Sequence, residues 1–95
     1  MLKTIATFKD KDTYDFFFGK RIKQWEKIVE PARSKLKILN QISSLQELTN
    51  AFDTCLHKLH GSRAGQYAIR INPQYRICFY WIKSHAYEVE ITDYH

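Results

Sequence analysis

From Gln66 onward, apolar and polar residues alternate with a period of two, and this pattern constrains the fold more than any other feature. Tyr67, Ile69 and Ile71 alternate with Ala68 and Arg70; Ile77, Phe79 and Trp81 alternate with Arg76, Cys78 and Tyr80; Tyr87, Val89 and Ile91 alternate with Glu88 and Glu90. Successive strand side chains point to opposite faces, so each run reads as a half-buried strand. Asn72-Pro73-Gln74 and Lys83-Ser84-His85 carry the turn chemistry between them, which predicts a three-strand antiparallel meander. One face is apolar and is expected to pack against helices; the other carries arginines and glutamates.

The first half has a different period. Residues 2–8 alternate and predict a short opening strand. Asp12 or Thr13 suits the cap of a short helix through Tyr14, Phe16, Phe17 and Phe18, with Gly19 at its C-terminus. Helical spacing continues through Trp25, Ile28 and Val29, and Pro31 is expected to start a new helix. Leu36, Leu39 and Ile42 form an apolar stripe, with Lys35 and Lys37 directed elsewhere. Ser44-Leu45-Gln46-Glu47 matches a capping box for a further short helix through Leu48 towards Phe52. The reading is α+β: an N-terminal strand and helices packed on a twisted antiparallel C-terminal sheet. A length of 95 residues leaves room for one domain, residues 1–95.

Fifteen Lys and Arg against ten Asp and Glu give a net charge of +5, which favours polyanionic partners such as nucleic acid, an anionic membrane surface or an acidic protein. No apolar run approaches the length of a bilayer span, and MLKTIATFKDKD lacks the apolar centre of a signal peptide. The expectation is a soluble cytoplasmic protein with no membrane partner. Cys55 and Cys78 belong to no CxxC or Cys/His cluster and are expected to be free thiols, with no metal site and no cofactor. A phosphate-cradling glycine loop, an HExxH pair and a nucleophile elbow are all absent from the sequence.

The polar face of the meander carries the candidate chemistry. Arg70 and Arg76 fall on the same face of neighbouring strands, where two guanidiniums can converge on one anion. Arg63 precedes the first of these strands, His57, Lys58 and His60 lie just upstream, and Thr92-Asp93-Tyr94-His95 lies just beyond the last strand. Metal-free RNA cleavage needs such groups: a base for the ribose 2′-OH, cations for the charge that grows on phosphorus, and an acid for the leaving oxygen. Arginine suits the second role because it stays charged and binds phosphate in a fork; histidine suits the proton transfers because it titrates near neutrality. The same residues also admit a plain reading, in which Arg70 and Arg76 pair with Glu88 and Glu90 as a solvated ladder and the histidines are structural. Tyr67, Tyr75 and Tyr80 offer stacking surfaces for bases, although Tyr67 fits the core face better. Lys20-Arg21-Ile22-Lys23 reads as a solvated basic helix face.

The run from Leu56 to Trp81, containing Leu56-His57-Lys58-Leu59-His60-Gly61-Ser62-Arg63-Ala64-Gly65-Gln66 and Ile69-Arg70-Ile71-Asn72-Pro73-Gln74-Tyr75-Arg76-Ile77-Cys78-Phe79, resembles the HigB-type toxins of the RelE/ParE superfamily. The ending Val89-Glu90-Ile91-Thr92-Asp93-Tyr94-His95 resembles their terminus, and Ala32 to Leu39 fits one of their helices. The resemblance implies a RelE-like fold and ribosome-dependent cleavage of mRNA in the A site, without a cofactor. It also implies a helix-turn-helix, HigA-like antitoxin that silences the toxin and carries it to operator DNA. Carried over, Arg76 matches the arginine on the scissile phosphate, and His57 falls on a functional histidine of some members. Asp93, Tyr94 and His95 match a terminal trio tied to toxicity, and Arg63 and Arg70 match basic positions that hold RNA; Lys58 joins them as an RNA-binding candidate. His60 stands where a lysine is usual, and Asn50 to Thr54 replaces a Pro-Pro-Gly-Asn stretch. Two further readings share the fold: a catalytically inactive member that serves as an antitoxin-binding module, and a ParE-like gyrase inhibitor.

Overall fold

A computed structural model of the chain describes residues 1–94; His95 lies outside the described residues. A two-residue hairpin turn of type I′ needs left-handed backbone at both positions. Lys83 and Ser84 adopt it, with φ of 48° and 67°, and close β3 (Tyr75–Ile82) onto β4 (His85–Asp93). His85 therefore opens β4, paired with Ile82, and is not part of the turn. β2 (Gln66–Arg70) pairs with the other side of β3, and Asn72 ties their turn by accepting the Gln74 and Tyr75 N–H groups at 2.8 and 2.7 Å. A fourth strand, β1 (Leu56–Lys58), extends the expected meander to a four-stranded antiparallel sheet in the order β1-β2-β3-β4. Three residues are too few to show a period, which is why sequence pattern missed it.

β4 does not alternate evenly. Tyr80 pairs with Tyr87 and Cys78 with Glu90, so Phe79 faces two residues, and Glu88 takes up the surplus at φ 53°. This bulge corrects the expected register. Tyr87 turns to the polar face with Tyr80, while Ala86, Val89 and Ile91 stay in the core.

The bulge also explains why residues 2–8 are not a regular strand. The segment runs parallel to β4 with bridges only at Ile5–Ala86 and Phe8–Val89. Backbone bonds still bind it: Ala86 N–H to Thr4 O at 2.9 Å, Ala6 N–H to Ala86 O at 2.8 Å, Val89 N–H to Thr7 O at 3.1 Å and Lys9 N–H to Val89 O at 3.0 Å. At Glu88 the ladder is replaced by its N–H donating to the Thr7 hydroxyl at 2.8 Å. On the segment's other side the buried Asn40 amide accepts the N–H groups of Lys3 and Ile5 at 2.8 and 3.1 Å and donates to Met1 O at 2.9 Å.

The helices cover the apolar face. α1 (Lys11–Phe17) starts two or three residues earlier than expected: Asp10 is the cap and accepts the Thr13 N–H at 2.7 Å. Thr13 is instead buried, and its hydroxyl accepts the Ile91 N–H at 3.3 Å. A 3₁₀ segment, Lys23–Ile28, leads into α2 (Val29–Leu39), where Pro31 sits in the first turn and its missing N–H costs nothing. Arg33 closes the end of α1: its guanidinium lies 4.5 Å from the Phe16 ring centre and Nε donates to Phe16 O at 3.0 Å. α3 (Leu45–Ala51) is capped by Ser44, which accepts the Glu47 N–H at 3.1 Å. The Glu47 carboxylate returns to the N–H and hydroxyl of Ser43, one residue ahead of the expected box, and these bonds hold its pKa below the usual carboxylate value.

Phe16 meets Trp25 edge-on with ring centres 5.4 Å apart, and Ile28, Leu36, Leu39, Leu48 and Phe52 bury against Ile69, Ile77, Phe79, Val89 and Ile91. The helices thus occupy one side of the sheet and leave the other open. Among the described residues no helix is long and apolar enough to cross a membrane.

Candidate functional site

Cross-strand register builds the open face in rows. His57, Ala68, Cys78 and Glu90 form one row across all four strands; Arg70, Arg76 and Thr92 form the next; Gln66, Tyr80 and Tyr87 form the row on the other side. Ala68 and Cys78 are small and buried, so they make a floor that longer side chains surround.

Arg70 and Arg76 are direct cross-strand partners. Like charges in that position repel, and neither arginine makes a salt bridge among the described residues. The glutamates that a surface ladder would require are engaged elsewhere: Glu88 lies in the bulge against Thr7, and Glu90 binds Arg63 and Lys9. Arg76 packs its guanidinium 4.9 Å from the centre of the Tyr94 ring, and its Nε is buried with no hydrogen-bond partner among the described residues. Leaving such a donor unsatisfied costs about 1–3 kcal/mol, a cost that an accepting ligand or water would remove.

Arg63, from the 3₁₀ turn Gly61–Arg63, directs Nη1 at Gln66 Oε1 (3.1 Å) and Glu90 Oε2 (3.0 Å). The bond to Glu90 raises its pKa further above the ordinary arginine value. Burial pushes the Cys78 thiol up, with Arg76 and Arg63 pulling the other way. The thiol is therefore protonated at neutral pH and is no nucleophile. Gly65 takes φ 94°, a conformation that side chains disfavour, and lets the chain pass the Tyr80 ring into β2.

The structure brings together most, not all, of the residues singled out from sequence. His57, Arg63, Arg70, Arg76 and Tyr94 gather on this face. His60 is exposed at the entrance to the Arg63 turn, accepting the Arg63 N–H at 3.3 Å through its carbonyl. Asp93 accepts from the Gln74 amide at 3.1 Å, beside the β2–β3 turn. Lys58 pairs with Tyr67, a core-facing position, so strand alternation takes it to the side opposite His57 and away from the site. His95 lies outside the described residues. Sequence reasoning missed Lys9 and the role of Glu90, because their contacts join distant parts of the chain, and it missed Gln66, whose bond to Arg63 three residues away no strand pattern marks. No group of three or more His, Cys, Asp or Glu able to hold a metal occurs among the described residues.

Chemically, the face offers two guanidiniums without salt bridges among the described residues, beside an imidazole and a phenol, above a floor of small buried side chains. It suits a phosphodiester backbone better than a neutral ligand.

A profile of the family described as "RelE-like toxin of type II toxin-antitoxin system HigB" matches residues 6–95. No curated protein sequence matches the chain. Among solved structures, a chain of the YoeB-YefM complex from Staphylococcus aureus superposes with a TM-score of 0.55 at 17% identity, covering 96% of this chain and 97% of that one. At that identity the similarity speaks for the fold, which is RelE-like.

Proposed function

The chain belongs to the HigB-like family of RelE-like type II toxins, and from that premise we propose that it is a ribosome-dependent endoribonuclease that cuts mRNA in the A site. One observation carries the reading: Arg70 and Arg76 oppose each other on the open sheet face, and neither has a salt bridge to a carboxylate among the described residues. A polyanion is the partner that turns this repulsion into attraction.

In the proposed reaction His57 or His60 takes the proton of a ribose 2′-OH, and the freed oxygen attacks the adjacent phosphorus. Arg76 stabilises the negative charge that accumulates on the phosphoryl oxygens. His95 returns a proton to the departing 5′-oxygen, which leaves a 2′,3′-cyclic phosphate and a 5′-hydroxyl. Protons balance between base and acid, and the reaction needs neither a metal nor a cofactor. Tyr94, already stacked on Arg76, holds that guanidinium and offers its ring to a base. Arg63 and Arg70 hold backbone phosphates. The ribosome fixes the mRNA in an attack geometry that the shallow face does not impose alone.

As a type II toxin the chain has an antitoxin partner; we assign it as a HigA-like helix-turn-helix protein that brings the complex to operator DNA. Ribosome dependence places the activity in the cytoplasm. Incubating the purified protein with mRNA tests the central assignment: cuts are expected with translating ribosomes and not on naked RNA. Intact mRNA on ribosomes would overturn it, and DNA breaks in the presence of gyrase would favour the ParE-like reading instead.

A further inference from the structure

Glu90 is an odd residue for this face. It is a carboxylate only 8% exposed, beside Cys78 and in the row next to Arg70 and Arg76, where it should repel the RNA that the face is proposed to bind. Its two contacts explain why it is tolerated. One carboxylate oxygen, Oε2, accepts from Arg63 Nη1 at 3.0 Å and from Lys9 Nζ at 3.4 Å. The three groups come from distant parts of the chain: Lys9 from the segment ahead of α1, Arg63 from the turn before β2, and Glu90 from β4. The carboxylate lies deep, with side-chain exposure of 11%, and the cations lie outward, at 28% for Arg63 and 52% for Lys9.

Two properties follow from this layering. The cluster keeps a net charge of +1, presented to solvent, because one anion holds two cations. The Arg63 guanidinium is also oriented, since Nη1 is committed to Gln66 and Glu90, and its Nε–Nη2 edge, without a hydrogen bond among the described residues, can meet an oxyanion as a fork. Lys9 is placed by backbone, its N–H bonding to Val89 O at 3.0 Å immediately before Glu90.

We infer that Lys9 and Arg63, held by Glu90, form a second phosphate-binding subsite on the sheet face, with Glu90 as its positioning residue and an RNA backbone phosphate as its ligand. The inference rests on the ribonuclease reading and adds Lys9 to the RNA-binding residues. Preorganisation is what Glu90 contributes: two long side chains are ordered before the ligand arrives, so less freedom is lost on binding.

The test exploits a difference in sign. Removing a carboxylate that merely borders a polyanion tightens binding, whereas removing one that positions two cations weakens it. Binding is measured to ribosomes programmed with an mRNA carrying 2′-deoxyribose in the A-site codon, which cannot be cut, across a salt series. Lys9→Ala is expected to weaken binding about three- to tenfold and to lower the salt slope by about one. Glu90→Gln should weaken binding to a similar extent, and Glu88→Gln, which removes the same charge from the neighbouring bulge, should leave it unchanged or tighter. Thermal melts confirm that each variant is folded. Wild-type binding matched by Lys9→Ala, or tightened by Glu90→Gln, would overturn the subsite alone. A wild type that neither binds programmed ribosomes nor cuts mRNA would overturn the ribonuclease reading and the subsite with it.

Discussion

Arg76 and Cys78 point the same way from one strand, yet only one of them is available for chemistry. Arg76 borders the opening, stacked on Tyr94, while Cys78 is fully buried beneath it with its thiol pKa raised by that burial. Cys55, by contrast, is half-buried at the start of β1. A maleimide probe at neutral pH should therefore label Cys55 alone in the folded protein and both cysteines once it is unfolded; rapid labelling of Cys78 in the native state would contradict the packed floor. The shared face of Arg70 and Arg76 was legible in the sequence because a strand period plus one short turn places two residues without further information. Lys9 and Glu90 were illegible for the opposite reason: they are separated by 81 positions, and no local pattern announces a contact of that span.

Among the elements, alternation predicted β2 and β3 and helical spacing found the helices, while capping succeeded at Ser44 and failed at α1, whose cap is Asp10 rather than Asp12 or Thr13. Alternation failed where one residue broke the rule. Glu88 at φ 53° shifts the register of β4 by one, which moves Tyr87 onto the open face and breaks the parallel ladder with residues 2–8. No residue type at that position marks a bulge, since a glutamate in left-handed backbone is uncommon. What secures the opening segment instead is Asn40, an unremarkable helix-end residue in the sequence whose side chain makes three bonds to backbone groups of Met1, Lys3 and Ile5. Asn40→Ala should cost about 2–4 kcal/mol because buried N–H groups lose their acceptor. For a domain this small that is a fall in Tm of roughly 8 °C or more, read from a thermal melt; a change under about 2 °C would mean the segment is held by β4 alone.

α3 shows the same logic at its cap. Glu47 has a folded-state pKa below its ordinary 4.5, first through the Ser43 N–H and then through the Ser43 hydroxyl. Its contribution is therefore complete above 4.5 and is lost as pH falls through the lower folded-state value. Glu47→Gln should reduce stability near neutrality and reduce the loss on acidification below that range. Parallel acid melts of the two proteins check it, and identical slopes would remove Glu47 from the acid response.

For the whole molecule, the helices cover one side of the sheet, and the other side keeps its cations. The α+β class and the order of helices then sheet followed from periodicity alone; the fourth strand and the delivery of Lys9 to the open face required the tertiary fold. The net charge of +5 favours polyanions at long range, and on the proposed reading the arrangement on one face turns that attraction into an RNA site. Salt should therefore weaken RNA-dependent activity steeply, because neutralised phosphates release counterions.

The most direct test of the account is primer extension on an mRNA translated in a purified system, with wild type and Arg76→Ala compared side by side. The account predicts ribosome-dependent cuts by the wild type and a loss of about a hundredfold or more in their rate for Arg76→Ala, with its melting temperature near that of the wild type. Equal cutting by a folded Arg76→Ala would contradict the central claim that the unpaired arginine face is the catalytic one.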